Sequence, residues 1–478
     1  MESSPKDLRR TKIIQGIPTM HSIWAIAVNT IKQALRLKIA IVFVVLMLIL
    51  LPVMGATATG DGTVKGRLQT FVSYGLSLTS LLLSLLAIIC SIYTMTSDLE
   101  QRQIYMVLTK PVRRFELVAG KLLGVILLST GLLVVFSSLI FAVVYYSLKF
   151  SDAAAEELAA ARNEFYTARA GLTPRVQDVS KEVLETYKKL ERTHQLPAGA
   201  SENKAVRNRI INQITSQKKY AKRAVLAGQE IGWEFHNIEL LDPDESLFIK
   251  FKYDVSVNPP DLQIYSRWLV GDDRPLRYGT KVETGIYQFE RKDIIRTFRE
   301  MEVPADAVAA DGYLAVRFFN VGLNDTIVFF PPEDGLEVLY KADTFGANYI
   351  RAVLIILFRL IFLAALGILA ASFLSLPVSI LLCLVVLFTG TISGFIMESF
   401  NLLGGELPSV YTYTLKPIVQ LLPQFDKVNP SKYLVPGRLL SWFIVAKAAS
   451  VMVILKAGFL LLLALLIFSY REIAKITI

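Results

Sequence analysis

The sequence predicts a polytopic α-helical membrane protein with six transmembrane helices and a large α+β insert outside the membrane. Three observations predict it. The 478 residues are 53% hydrophobic and only 19% charged, with a mean hydropathy of +0.47, too apolar for a water-soluble chain of this length. The apolar residues gather into six runs, 38–57, 69–96, 122–148, 349–373, 377–397 and 441–470. Each is near or above the ~20 residues that cross a bilayer. The net charge of +10 is uneven: residues 151–350 sum to about −5, and the rest carries about +15. That is the positive-inside pattern of a membrane protein rather than a nucleic-acid footprint.

Residues 1–37 form a cytoplasmic leader. Within it, His21 to Leu37 reads as an amphipathic helix, with Ile23, Ala27, Ile31 and Leu35 on one face. Lys32, Arg36 and Lys38 fall on the polar side or at the end. Such a helix lies in the membrane interface; the alternative is a plain extension of the first span. The first apolar run begins near Ile39 and is long enough to span, so no cleavable leader is expected.

Residues 38–148 hold spans 1 to 3. The Gly/Thr-rich loop after span 1 belongs outside. The loop 97–121, with Arg102, Lys110, Arg113, Arg114 and Lys121, belongs inside. Residues 150–230 read as a helical hairpin. Thr173-Pro174 has the form of an N-cap followed by Pro, 196–201 is a turn, and Ser201 can cap the return helix. Residues 231–347 change period. Leu247, Ile249, Phe251, Tyr253, Val255 and Val257 alternate with polar or outward residues, as do Leu314, Val316 and Phe318, which argues an antiparallel β-sandwich. Residues 348–478 hold spans 4 to 6. Their Pro-rich connection 398–440 is expected to form interfacial or re-entrant pieces, covered by protein or facing water. An even number of spans puts both termini inside and 150–347 outside, and Arg471 and Lys475 agree.

Chemistry-bearing residues are sparse. Cys90 and Cys383 both sit in apolar runs and build neither a disulfide framework nor a metal site. His21, His194 and His236 are far apart in the chain. Gly120-Lys121 is followed by Leu-Leu and lacks the upstream glycine of a phosphate-binding loop. No catalytic residue, metal or cofactor is therefore expected. Arg359 and Lys456 sit inside spans 4 and 6, where charge is costly and faces protein or water. Glu398, at the end of span 5, is the nearest acid in the pattern. The charges either line a transport path or form a snorkelling or ion-paired structural feature. Trp233, Trp268, Tyr265 and Tyr287 are either a saccharide platform or sandwich core, and core is the commoner use of strand aromatics.

Residues 98–121 resemble the first cytoplasmic loop of ABC-2 type transporter permeases. Glu100, Leu108, Pro111, Val112, Arg114, Gly120 and Lys121 match that pattern, and Lys110 and Arg113 fit it. Arg102-Gln103 replaces the frequent Gly-Thr after the acid. The leader helix, six spans and outer pieces before span 6 fit the same family; residues 150–347 lie outside the resemblance. It implies a permease of the cell (inner) membrane, without ATPase activity of its own, serving an exporter. It implies an ATP-binding cassette partner docking on Glu100, Leu108, Lys110, Pro111, Arg113, Arg114 and Lys121. It also implies a homodimer or pseudo-symmetric heterodimer of permeases in contact with membrane lipid. The insert is then free to meet an extracytoplasmic protein or glycan. The alternative is a non-transporting envelope protein, anchored by its spans, whose insert binds a partner or transmits force.

Overall fold

The computed structural model describes residues 19–470, other than 101–112, 152, 176, 197–203, 242–244, 280–283, 403–413, 415, 416, 418 and 420. The chain divides into two compact units. One holds the helices up to Phe165, residues 346–436 and the chain from Leu440 onward; the other is Tyr166–Phe345 with Gly437–Leu439.

Among the described residues, six helices are long and apolar enough to cross a membrane: Ala40–Thr57, Val64–Asp98, Arg114–Lys149, Phe345–Phe373, Leu376–Ser399 and Trp442–Phe468. These are spans 1 to 6. Spans 2 and 3 are longer than their apolar runs, because polar turns such as Arg114–Lys121 continue the helix without interrupting its hydrogen bonds. Spans 2 and 4 are the most buried, while spans 1, 5 and 6 turn most of their surface outward. One core cluster joins spans 2 to 6, from Ile88 and Ile92 of span 2 through Leu363 and Ile368 of span 4 to Leu387 and Phe468. A Cβ at Gly367 would lie 2.0 Å from Ser91 Oγ, so spans 2 and 4 meet where span 4 has no side chain.

The amphipathic helix is Thr19–Arg36, separated from span 1 by Leu37 in an extended conformation. Its packed stripe differs from the expected one. Ala27, Thr30 and Ala34 are buried, whereas Leu35 is 54% exposed. The partner decides this: Gly120 and Gly124 of span 3 let Ile26, Ala27 and Thr30 come so close that a Cβ on either glycine would meet them at 2.7 Å. Small side chains therefore face inward, and the longer leucine is displaced.

In the second unit, β1 (Thr167–Leu172), β4 (Leu247–Phe251), β8 (Arg299–Val303) and β11 (Leu336–Thr344) form a sheet of order β1-β11-β4-β8. A second sheet has the order β3-β9-β6-β7, from Glu230–Phe235, Leu314–Asn320, Gln263–Gly271 and Tyr287–Ile294. Three two-residue strands, β2 (Ala224–Val225), β10 (Val328–Phe329) and β5 (Asp254–Val255), make a small third sheet. All these strand pairs are antiparallel. Alternation along β4 buries Leu247, Ile249 and Phe251 against Trp268, Val316 and Phe318 in one core. Trp268 lies edge-on to Phe318 at 4.9 Å, and such a ring pair adds about 1 kcal/mol beyond its burial. Val257 breaks the pattern: the inward face ends at Val255, and Val257 is 67% exposed. Residues 437–439 lengthen the first sheet, with Arg169 N donating to Gly437 O at 2.7 Å and Leu439 N to Arg169 O at 2.8 Å.

The stretch 151–229 is not wholly helical. Residues 167–172 form β1, paired with β11, because tertiary pairing overrides the helical leaning of an Ala/Arg-rich segment. Thr173-Pro174 does not begin a helix; the next one is Ser180–Arg192. That helix packs on Lys204–Ala221 through Val183, Tyr187 and Ile214. Ser201 lies outside the described residues.

One acid organises the end of the second sheet. Asp273 is buried and accepts from Arg317 Nε at 2.8 Å, Arg277 NH2 at 2.7 Å and Tyr313 Oη at 2.9 Å. Burial pushes its carboxyl pKa up, but the bonds from Arg317, Arg277 and Tyr313 outweigh it and hold the group below the usual carboxylate range. The fragment 166–345 keeps the whole sandwich core. It is expected to fold in water, with mixed helix and strand in its circular dichroism. Asp273→Ala should cost it about 3 kcal/mol in a denaturant titration, since three donors lose a buried acceptor. A depressed folded-state pKa means that the stabilisation is fully present above the unfolded value of about 3.9 and disappears as pH falls below it. A flat stability between pH 5 and pH 3 would contradict this role.

Candidate functional site

Two polar assemblies are built into the membrane unit. The first joins the amphipathic helix to spans 2 and 3. Lys121 is 1% exposed. Its Nζ sits 2.5 Å from Asp98 Oδ2 and donates to the Thr94 carbonyl at 2.5 Å. Gln33 Nε2 donates to the other Asp98 oxygen at 3.2 Å. A lysine this deep is tolerable only because a carboxylate and a carbonyl replace its water. One turn earlier, Glu116 accepts from Ser22 Oγ at 3.0 Å and from the Arg113 backbone N at 3.2 Å. Its charge also lies in the first turn of span 3, where the helix dipole favours an anion.

These contacts redistribute the residues expected to dock a partner. Lys121 is not on the surface; it is consumed by Asp98 and Thr94. Arg114 NH1 donates to the Phe468 carbonyl at 3.0 Å, near the end of span 6. Arg113 is exposed. Glu100 is the last residue of its helix, and Leu108, Lys110 and Pro111 lie outside the described residues. Asp98, Glu116 and Gln33 escaped the sequence reading. Two signals pointed to them: an acid ending an apolar run, and the Gly-x-x-x-Gly spacing of 120 and 124 that marks a close helix contact.

The second assembly surrounds Arg359. Gly390 and Gly394 of span 5 cradle the turn Pro423–Asp426. A Cβ on Gly390 would meet the Pro423 carbonyl at 2.6 Å, and one on Gly394 would meet the Asp426 carboxylate at 1.8 Å. Phe425 N donates to the Gly390 carbonyl at 3.0 Å, and Ser393 Oγ donates to Asp426 Oδ1 at 2.5 Å. Two glycines one turn apart thus admit irregular backbone and satisfy it from span 5. The turn places the Phe425 ring 4.5 Å from the Arg359 guanidinium. Arg359 also donates to Thr391 Oγ1 at 3.2 Å and to Ser80 Oγ at 3.4 Å, while its Nε has no partner among the described residues. A cavity of about 250 Å3 lies here; Arg359, Asp426, Thr391, Ser80 and Asn429 are among the polar residues of a lining that is otherwise largely apolar.

Glu398 does not join this group. It is exposed, and among the described residues neither Arg359 nor Lys456 pairs with it. Lys456 Nζ donates instead to the Leu422 carbonyl at 2.8 Å. A backbone carbonyl next to the turn Pro423–Asp426 takes the place of an acid among the described residues. In the other unit the four aromatics do not assemble as a platform. Trp268 is in the core, Trp233 packs edge-on to Phe330 at 4.9 Å, Tyr265 lies under Lys292, and Tyr287 donates to Asp306.

Residues 24–161 match the family model described as ABC-2 family transporter protein. The match runs from within the amphipathic helix past span 3 and contains Gln33, Asp98, Glu116 and Lys121 of the first assembly, but not Ser22. No curated protein and no solved structure matches the chain. The match covers under a third of the chain, and over that stretch the protein is similar to an ABC-2 family transporter domain.

Removing one partner of the buried pair leaves the other charge stranded. Lys121→Ala is expected to cost about 3–5 kcal/mol and to lower the melting temperature of the detergent-solubilised protein markedly. Asp98→Leu with Lys121→Met should recover most of that loss, because two apolar groups leave no charge unpaired. A single variant as stable as the parent would show that the pair holds nothing together.

Proposed function

We propose that the chain is the permease subunit of an ABC-2 type exporter, driven by a separate ATP-binding cassette subunit. The observation that carries this reading is the family match over 24–161, which spans the charged loop between spans 2 and 3. The permease works as a homodimer or as a pseudo-symmetric heterodimer, with both termini in the cytoplasm and the insert outside the cell membrane. The ATPase docks on the loop that begins after Glu100 and ends at Arg113.

The geometry gives that docking a mechanical consequence. Asp98 and Lys121 stand just before and just after the loop, and their ion pair ties its two ends together. Gln33 and Ser22 tie both ends to the amphipathic helix. A force on the loop therefore reaches spans 2 and 3 and the amphipathic helix as one body, which suits a transition between two rigid arrangements. Arg114 carries the same motion to the end of span 6 through the Phe468 carbonyl. The Arg359 cavity, between spans 2, 4 and 5, offers the permease a charged chamber away from the loop.

Two measurements test this reading. Glu100→Ala with Arg113→Glu changes the charge at both edges of the loop without touching the buried pair. The double variant should insert normally and bind its ATPase about tenfold more weakly, in the range for altered interface charge. Unchanged co-purification and unchanged stimulation of ATP hydrolysis would remove the support for a coupling loop. Topology is read with a membrane-impermeant maleimide, since Cys90 and Cys383 are both buried. Ser180→Cys should label in intact cells and Ser3→Cys only after permeabilisation. The opposite pattern would invert the protein and sink the exporter reading.

A further inference from the structure

A second, larger cavity lies beside the Arg359 chamber, sharing Val428 and Met452 with it. It holds about 540 Å3, within the roughly 300–1,000 Å3 of small-molecule sites. Lys427 comes from the re-entrant connection, Lys447 and Lys456 from span 6. Gln424 and Tyr433 add polar atoms, the rest of the wall is almost entirely apolar, and no carboxylate belongs to the lining. Among the described residues none of the three lysines is ion-paired. Lys456 uses one donor on the Leu422 carbonyl, and an ammonium carries three.

The backbone of span 6 brings two of these charges to one side. Lys447 and Lys456 are nine residues apart, about two and a half turns of α-helix, which would place them on opposite faces. Residues Ser450–Ala457, which include Lys456, are π-helical. Their wider i→i+5 turns advance less per residue, and both side chains line the same cavity. π-Helical turns are rare and concentrate at functional sites.

We propose that this cavity binds the anionic phosphate headgroup of a phospholipid, with the lysines on the phosphate and the apolar wall along the acyl chain. Two features favour a lipid over a water-borne anion. The lining is mostly hydrocarbon, and the flanking surface of span 6 is apolar and outward, with Ile454 73% and Leu455 66% exposed. An unaccompanied anion would gain nothing from that wall. A net-neutral headgroup would leave the lysines uncompensated.

The test uses the full chain in a neutral detergent and reads bound lipid by native mass spectrometry. Dioctanoyl phosphatidylglycerol should be retained in preference to dioctanoyl phosphatidylcholine. Lys427 and Lys447 are exposed, so Lys427→Gln with Lys447→Gln should leave the melting temperature unchanged. It should weaken phosphatidylglycerol binding on the order of 30-fold, at about fivefold per lysine near a phosphate surface. Lys456→Gln, which can still donate to Leu422, should weaken it further. Equal binding by parent and double variant would overturn the proposal and leave the lysines as snorkelling side chains. So would inorganic phosphate competing as well as the lipid, or phosphatidylcholine binding equally. No ATPase enters the experiment, so a negative result leaves the permease reading standing.

Discussion

Apolar side chains gain nothing from one another in hydrocarbon, where lipid tails are as apolar as leucine. The arrangement of the helices therefore depends on places where backbones come close enough for dispersion and polar contacts to act. This protein makes those places with glycine. Gly120 and Gly124 seat the amphipathic helix on span 3, Gly367 seats span 4 on span 2, and Gly390 and Gly394 admit the turn Pro423–Asp426 to span 5. Two of the polar contacts above lie beside these approaches. Gln33 reaches Asp98 because the amphipathic helix is close. Phe425 reaches Arg359 because the turn is close.

Three cations of the spans, Lys121, Lys456 and Arg359, illustrate three ways of keeping charge out of water. Lys121 has a full partner in Asp98 and a carbonyl besides. Lys456 has a carbonyl alone, exposed by the break before span 6. Arg359 has two hydroxyls and an aromatic face, all of them neutral. The first arrangement is self-contained and suits a rigid joint. The last two leave charge without an ion-pair partner among the described residues, each beside a cavity.

The sandwich obeys a different solvent. Its strands bury alternate residues because one face meets the core and the other meets water. Its charges cluster where they bridge strands, as Arg317 of β9 and Arg277 do around Asp273. Here hydrophobic burial does the assembling, and the ion pairs mainly fix the ends of the sheet.

The number of spans, their order and the change from helical to strand period were legible in the sequence. They rest on properties of consecutive residues: a run of about 20 apolar side chains crosses a bilayer whatever its neighbours are, and period-2 alternation at 247–255 needs only one buried face. The identity of polar partners was not legible. Glu398 stood nearest to the intramembrane charges by type and place in the pattern, yet Lys456 took a carbonyl and Arg359 took hydroxyls and a ring. Lys121 read as a surface residue of a basic loop and is buried. Residues 167–172 read as helix and became a strand, because β11 offered a backbone to pair with. Each of these was decided by helix approach, turn position or strand partner. Such contacts join residues tens to hundreds of positions apart, and local composition carries no record of them.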